Sequence, residues 1–459
     1  MRRAPLFLTL LSLGCSGGYS AKAFSDVGLS PGGAQDMGLA TETIRAGGIP
    51  PAGQYTVEGL FSEHNLPLDG PDCRALMCPR TAVARTEPVD GTGPVHLLHL
   101  GFASHLDLDT LERPHLVLAL AIDVSGSMAG TKLRAVQDGL HALAHHLDED
   151  DELSLVAFES GVHTLLPPTR MDEDGLRRFR ASIESLEPLG NTWMEGGLAT
   201  AVEQIRLSDG HPDASERVML FTDALPNVGE TDTHSFLGIA RDAADDGIGL
   251  SVFGVGLDLG AELVAELSKL RGGASYYLSD PEDAERRIRE EFDLMVTPVA
   301  YDLEVALELA PGVELAEIYG APTDPEGGVS FGASTLFLSS TSGAMGVGLL
   351  ALDEPGRLAG LTVAYEDART GESYEDSVQA DFLGGEDYRL VGPDGPVIAA
   401  DDLGVYKMAL LVDELKALDA GAAFCRGRIT AEEAIAVILD AHDRLEPASA
   451  TSGLAKKPC

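Results

Sequence analysis

The stretch 118–136, LALAIDVSGSMAGTKLRAV, runs from apolar residues directly into Asp123, Ser125 and Ser127. Oxygen side chains at every second position of an extended turn project to one side, and Gly126 between the serines relieves the turn sterically. Such a set can hold a metal ion, attack a phosphate, or cap the helix that follows. Two later loops bring more oxygens to the ends of apolar runs. LGNTWMEGGL (189–198) offers Thr192 and FTDALPN (221–227) offers Asp223. In open α/β sheets, loops beyond the carboxyl ends of strands converge on ligands. Two carboxylates and three hydroxyls suit a hard divalent cation, and the neutral hydroxyls leave its charge largely unquenched.

The elements needed to position these loops are legible as periodicity. Residues 115–295 alternate apolar runs with helical patterns, which is the signature of a mostly parallel, doubly wound α/β sheet. HLVLALAID (115–123), ERVMLFTDA (216–224) and IGLSVFGVGLD (248–258) read as buried strands. DELSLVAFES and GVHTLLPP read as a strand pair joined at Ser160–Gly161. Helices are expected over 131–147, 172–186, 195–207, 234–247, 261–273 and 283–296. After Pro298 the period shortens to two, with Gly and Pro turns, as in an antiparallel β-sandwich. Two helices follow, and Thr430 with Glu433 fits a capping box.

The oxygen set resembles the metal-ion-dependent adhesion site of the von Willebrand factor type A domain. That motif is Asp-x-Ser-x-Ser, then a distant Thr, then a distant Asp. All five occur here in order, and the resemblance covers about 115–295. Asn191 and Ala224 stand where that family often has glycine. The resemblance implies a bound Mg2+, with Mn2+ and Ca2+ as alternatives. Ser125, Ser127 and Thr192 would ligate directly, Asp123 and Asp223 directly or through water. A partner protein would complete the shell with an Asp or Glu carboxylate. The flanks IRAGGIPPAGQYTVEGLF (44–61) and VHLLHLGF (95–102) are similar to those of bacterial envelope proteins with a centrally placed type A domain.

Other chemistry fits less well. An aspartyl phosphotransferase needs a second Asp two residues on, where Ser125 sits. A protease needs Ser and His in contact, but His145 and His146 lie on a helix face and His115 precedes a strand. GVGLDLG (254–260) follows a late strand and reads as packing rather than a nucleotide loop. The acidic run 148–151 reads as a solvated helix end, with a calcium loop as its sharper alternative. A binding protein, not an enzyme, is expected. The remaining alternatives are a structural envelope lipoprotein without metal-dependent ligand binding and, behind it, a metal-dependent hydrolase.

Composition sets the setting. The chain has 459 residues, 44% hydrophobic, and 74 acidic residues against 32 basic ones give a formal charge of −42. That charge repels nucleic acid and anionic lipid headgroups. It also opposes the approach of a carboxylate-bearing partner, so a metal would have to act locally. The start reads as an export signal: MRR, then the apolar APLFLTLLSLG, too short to span a bilayer. Cys15 then follows as in a lipoprotein signal, although Ser12 stands where leucine is usual. Lipidation at Cys15 or plain cleavage near 21–23 would place the protein in the cell envelope or outside it. Cys73, Cys78, Cys425 and Cys459 remain for disulfides, with three connectivities open; pairing of near neighbours is the simplest. The expected division is 1–23 signal, 24–50 tether, 51–113 β-containing arm, 114–297 α/β domain, 298–400 β-rich domain and 401–459 helical segment.

Overall fold

The computed structural model describes residues 28–31, 73–86, 95–106, 113–211, 213–225, 235–256, 269–319, 329–339, 344–351, 356–382 and 407–412, with isolated positions besides. Cys15, Cys425, Cys459, Thr430 and Glu433 lie outside these residues. Cys73 and Cys78 are joined in a disulfide with Cα atoms 5.8 Å apart.

Three strands precede the α/β domain or open it: β1 (Gly28–Pro31), β2 (Cys78–Thr86) and β3 (Val95–Ala103). The α/β domain then runs β4 (Leu116–Asp123), α1 (Thr131–Leu143), β5 (Glu152–Phe158), β6 (Val162–Arg170), α2 (Glu173–Glu184), α3 (Met194–Arg206) and β7 (Ser215–Thr222). It continues with α4 (Phe236–Asp245), β8 (Gly249–Val255), β9 (Gly273–Leu278) and α5 (Pro281–Met295). Its six-stranded sheet has the order β6-β5-β4-β7-β8-β9, and all pairs are parallel except the β5–β6 hairpin.

β4 explains the double winding. All eight of its residues are buried. Leu116, Leu118, Leu120 and Ile122 face one core, shared with α1, α2 and α5. Val117, Ala119 and Ala121 face the other, shared with α3 and α4. A strand covered on both sides needs apolar residues at every position, which is why it reads as one continuous run. The chain goes from β4 to β5 on one side and returns to β7 on the other. The crevice at the carboxyl end of β4 is therefore the topological switch point. Helix starts are set by side-chain caps: Asp172 accepts from Gly175 N at 2.8 Å, Ser235 from Gly238 N at 3.2 Å and Asp280 from Asp283 N at 3.0 Å.

The remaining strands are β10 (Pro298–Leu309), β11 (Glu314–Tyr319), β12 (Val329–Ser339), β13 (Ala344–Ala351), β14 (Gly356–Asp367) and β15 (Ser373–Phe382). They form sheets β1-β12-β10-β14-β15 and β11-β13-β3-β2. Val83, Leu98 and Leu100 from one sheet and Leu303, Val305, Leu336 and Leu361 from the other share a core, so the two sheets make a sandwich. Described strands from the regions 78–103 and 298–382 thus share sheets and a core. Leu97 of β3 pairs with Leu349 of β13 across the whole α/β domain. Alternation within one strand reveals a buried face but not which distant strand will satisfy its edge. Four strands were not expected: β1, β2, β9 and β12. The described helical residues near the end, 407–412, fall within the first of the two expected C-terminal helices.

The sandwich meets the α/β sheet where β7, β8 and β9 begin. Arg217, fully buried, donates from Nη1 to Gly272 O at 2.8 Å and Ser251 Oγ at 3.0 Å, and lies over the Phe337 ring. Gly272 N donates to Thr335 Oγ1 at 2.7 Å, and Arg271 pairs with Asp302 and Glu366 while covering Tyr301.

His99 of β3 is fully buried, and among the described residues neither ring nitrogen has a hydrogen-bond partner. Burial pushes its pKa from 6.5 down to about 3. Below pH 6.5 the unfolded chain takes a proton that the fold refuses, so this group costs stability as pH falls, about 1.4 kcal/mol per pH unit. The advantage of His99→Leu over wild type in urea unfolding should therefore grow from pH 7 to pH 5. A gap that stays constant would show that the imidazole takes up its proton as readily in the fold as in the unfolded chain.

Candidate metal centre

Asp123 closes β4 with no solvent exposure. Its Oδ1 accepts from Ser125 N at 2.8 Å and its Oδ2 from the Thr222 hydroxyl at 2.7 Å. A buried carboxylate requires such donors. The first bond folds the backbone sharply, and a 3₁₀ turn follows at Gly126–Met128. The second ties the end of β4 to the end of β7, one step beyond the pairing of Ile122 with Phe221.

The serine hydroxyls then lie together. Ser125 Oγ and Ser127 Oγ are 3.1 Å apart, and Ser127 Oγ donates to Asp223 Oδ1 at 2.8 Å. Lys132 Nζ donates to the other Asp223 oxygen at 2.5 Å. None of these side chains caps α1. That helix begins after Gly130, at φ 86°, with no side-chain cap. The capping alternative therefore fails, because the helix starts too far along the chain.

Thr192 is solvent-exposed on a loop fastened to both neighbouring strand ends. Leu189 N donates to Val124 O at 2.7 Å and Gly126 N to Gly190 O at 3.2 Å. Asn191 N donates to Ser160 Oγ at 3.0 Å and Trp193 N to Glu159 O at 2.7 Å. Gly190 sits at φ 72°, and a Cβ there would collide with Glu159 Oε2. Hydrogen bonds from Ser160 hold the Glu159 carboxyl below its ordinary range, with His163 adding to the effect.

The donor set fits a small divalent cation. Mg2+–oxygen bonds of about 2.0–2.1 Å put neighbouring octahedral ligands about 2.9 Å apart. The Ser125–Ser127 and Ser127–Asp223 oxygen spacings, 3.1 and 2.8 Å, are of that size. The ammonium on Asp223 marks the same place as one that favours positive charge. The structure thus brings Asp123, Ser125, Ser127 and Asp223 together and ties the Thr192 loop beside them. Sequence reasoning missed Thr222, Lys132, Glu159 and Gly190. Thr222 precedes Asp223 directly and Lys132 lies in the first turn of α1, but their roles show only once the loops meet.

A second group able to bind metal, His115, Asp148 and Asp151, lies at the opposite edge of the sheet, where β4 and β5 begin. Arg113 pairs with Asp151 at 2.5 Å and reaches Asp148 and Asp293, and Asp151 Oδ1 also accepts from Leu116 N. The acidic run at 148–151 is thus tied internally to a guanidinium.

Residues 118–226 match the von Willebrand factor type A domain. The chain carries a von Willebrand factor type A domain. Inter-alpha-trypsin inhibitor heavy chain H2 of Mus musculus is 25% identical over 195 residues, covering 41% of this chain and 20% of that protein. An uncharacterized protein of Synechocystis is 28% identical over 219 residues, covering 48% and 50%. The chain spans no more than half the length of these relatives. A solved von Willebrand factor type A protein from Catenulispora acidiphila aligns over 84% of this chain and 91% of that one, with 16% identity and a TM-score of 0.47. Type A domains are modules of adhesion and protein–protein interaction and commonly bind a divalent metal.

Thr222→Val keeps the shape and removes the hydroxyl that serves both Asp123 Oδ2 and Ala224 N. The expected loss is about 2 kcal/mol in urea unfolding. Unchanged stability would mean that another group holds Asp123.

Proposed function

We propose that this is an exported, lipid-anchored binding protein whose type A domain holds a carboxylate of a partner protein through a divalent cation, Mg2+ in preference to Mn2+ or Ca2+. The observation that carries the reading is the Ser125, Ser127 and Asp223 oxygen cluster at ligand spacing, beside a buried Asp123. Ser125, Ser127 and Thr192 would hold the ion through their hydroxyls and Asp223 through Oδ1. Asp123, with each oxygen already accepting a bond, orients Ser125 and the end of β7. A bound ion would supply positive charge that three neutral hydroxyls leave available to an outside carboxylate. The reading is of binding rather than catalysis, since the carboxylate that would have to act as a nucleophile is buried and engaged. Export and anchoring rest on the leader-like start and Cys15; among the described residues no helix is long and apolar enough to cross a membrane.

Calorimetry of Mg2+ into the purified chain tests the site. Wild type should bind one ion, Ser127→Ala and Asp223→Asn should bind it at least about tenfold more weakly, and EDTA should release the partner protein. No heat in wild type would leave the structural envelope reading in its place. Lys132→Met should go the other way. It removes a competing positive charge from Asp223 and should tighten Mg2+ binding about three- to tenfold. Weaker binding in that variant would mean that Lys132 positions Asp223 rather than competing for it.

A further inference from the structure

Large apolar side chains exposed singly are ordinary, whereas exposed ones gathered at one place mark a contact surface. Six are exposed among the described residues, and three of them, Leu189 (68%), Trp193 (52%) and Leu225 (55%), sit on the loops that carry Thr192 and Asp223. Trp193 is the chain's single tryptophan. Its backbone is fixed on both sides, by Trp193 N to Glu159 O at 2.7 Å and Gly197 N to Trp193 O at 3.1 Å. Its indole lies on Gly196: a Cβ added there would stand 2.6 Å from Trp193 Cδ2 and 2.8 Å from Cε3. One face of the ring is thus packed against a glycine, while half of the side chain stays open. Leu189 is anchored in the same way by its N–H to Val124 O. These residues pay little ordering entropy on binding, which is what makes rigid aromatic anchors effective.

Two of the charges beside these loops are engaged, and Glu187 and Glu195 also stand at the ends of the loop of Thr192. Glu159 turns back to Ser160 and His163, and Lys132 is on Asp223. Three exposed apolar side chains thus stand at these loops on a chain of formal charge −42. Such a chain repels acidic partners at long range, so charge alone would make a poor adhesive. We infer that Leu189, Trp193 and Leu225 form an apolar rim that selects a protein segment bearing a carboxylate next to a bulky apolar residue. The carboxylate goes to the cation site and its neighbour to the open indole face. This rests on the metal-dependent reading above.

The test uses the full chain with three synthetic peptides: one Asp between Leu and Phe, the same with Asn for Asp, and the same with Ser for Leu and Phe. Trp193 emission reports this site alone. With Mg2+, the first peptide should shift that emission and bind at least about tenfold more tightly than either of the others. Trp193→Ala, followed by calorimetry, should lose about tenfold in affinity for the first peptide and keep Mg2+ affinity within about twofold. Gly196→Ala, which displaces the indole without deleting it, should lose peptide affinity as well. Equal binding of the serine-flanked peptide would overturn the rim and leave the cation site standing. Undiminished rim-dependent binding in EDTA would support the rim and overturn the metal reading. No binding of the first peptide, or the same emission shift with an oligosaccharide alone, would overturn the proposal.

Discussion

A carboxylate without solvent exposure, at the end of a strand that is apolar throughout, is the constraint around which this domain is arranged. Burial of Asp123 there requires that donors meet both of its oxygens. The Ser125 amide meets one by bending the chain at once, and the Thr222 hydroxyl meets the other from β7. Each bond also does something for the surface. The bend brings the Ser125 and Ser127 hydroxyls together, and the β7 contact fixes Asp223, the next residue after Thr222, opposite them. Because the bend occupies residues 124–130, α1 starts only at Thr131, and the hydroxyls are left without any helix to cap.

Much of this was legible in the sequence, for a physical reason. β4, β5 and β8 are covered on both sides, so they had to be apolar at every position, and oxygens closing such runs stand out. Asp172 and the acids after it announced α2 through the dipole and cap chemistry of a helix start. β9 was not legible: GASYYL is short, holds polar side chains and lies between turns, and it is a strand because β8 offers it an edge. β12 carries Gly332, where a Cβ would stand 2.6 Å from Leu303 O, so its sequence lacks a continuous side-chain pattern. The union of β3 with β13 depends on pairing across the whole α/β domain, and no local period can encode it. Within the site the five oxygens were visible as types and spacing. Lys132, Glu159 and Trp193 were visible only as residues, since their meaning lies in what they touch.

The two ends of the parallel sheet have been given different work. At the amino ends of β7, β8 and β9, Arg217 and Arg271 fasten the sandwich through hydrogen bonds, an ion-pair pair and two ring contacts. At the amino ends of β4 and β5, Arg113 gathers Asp148, Asp151 and Asp293. Both chain connections to the sandwich, from β3 into β4 and from α5 into β10, run at this same edge. Among the described residues, the sandwich is thereby joined at the end of the sheet away from the carboxyl edge. The partner carboxylate proposed above would need access from that side, since a partner brings its own bulk along with one side chain. Lys132 is set on Asp223 at the carboxyl edge, beside the Ser125 and Ser127 hydroxyls. What separates holding the molecule together from reaching out of it is therefore strand polarity itself, fixed once β4 is buried on both faces and ends in an aspartate.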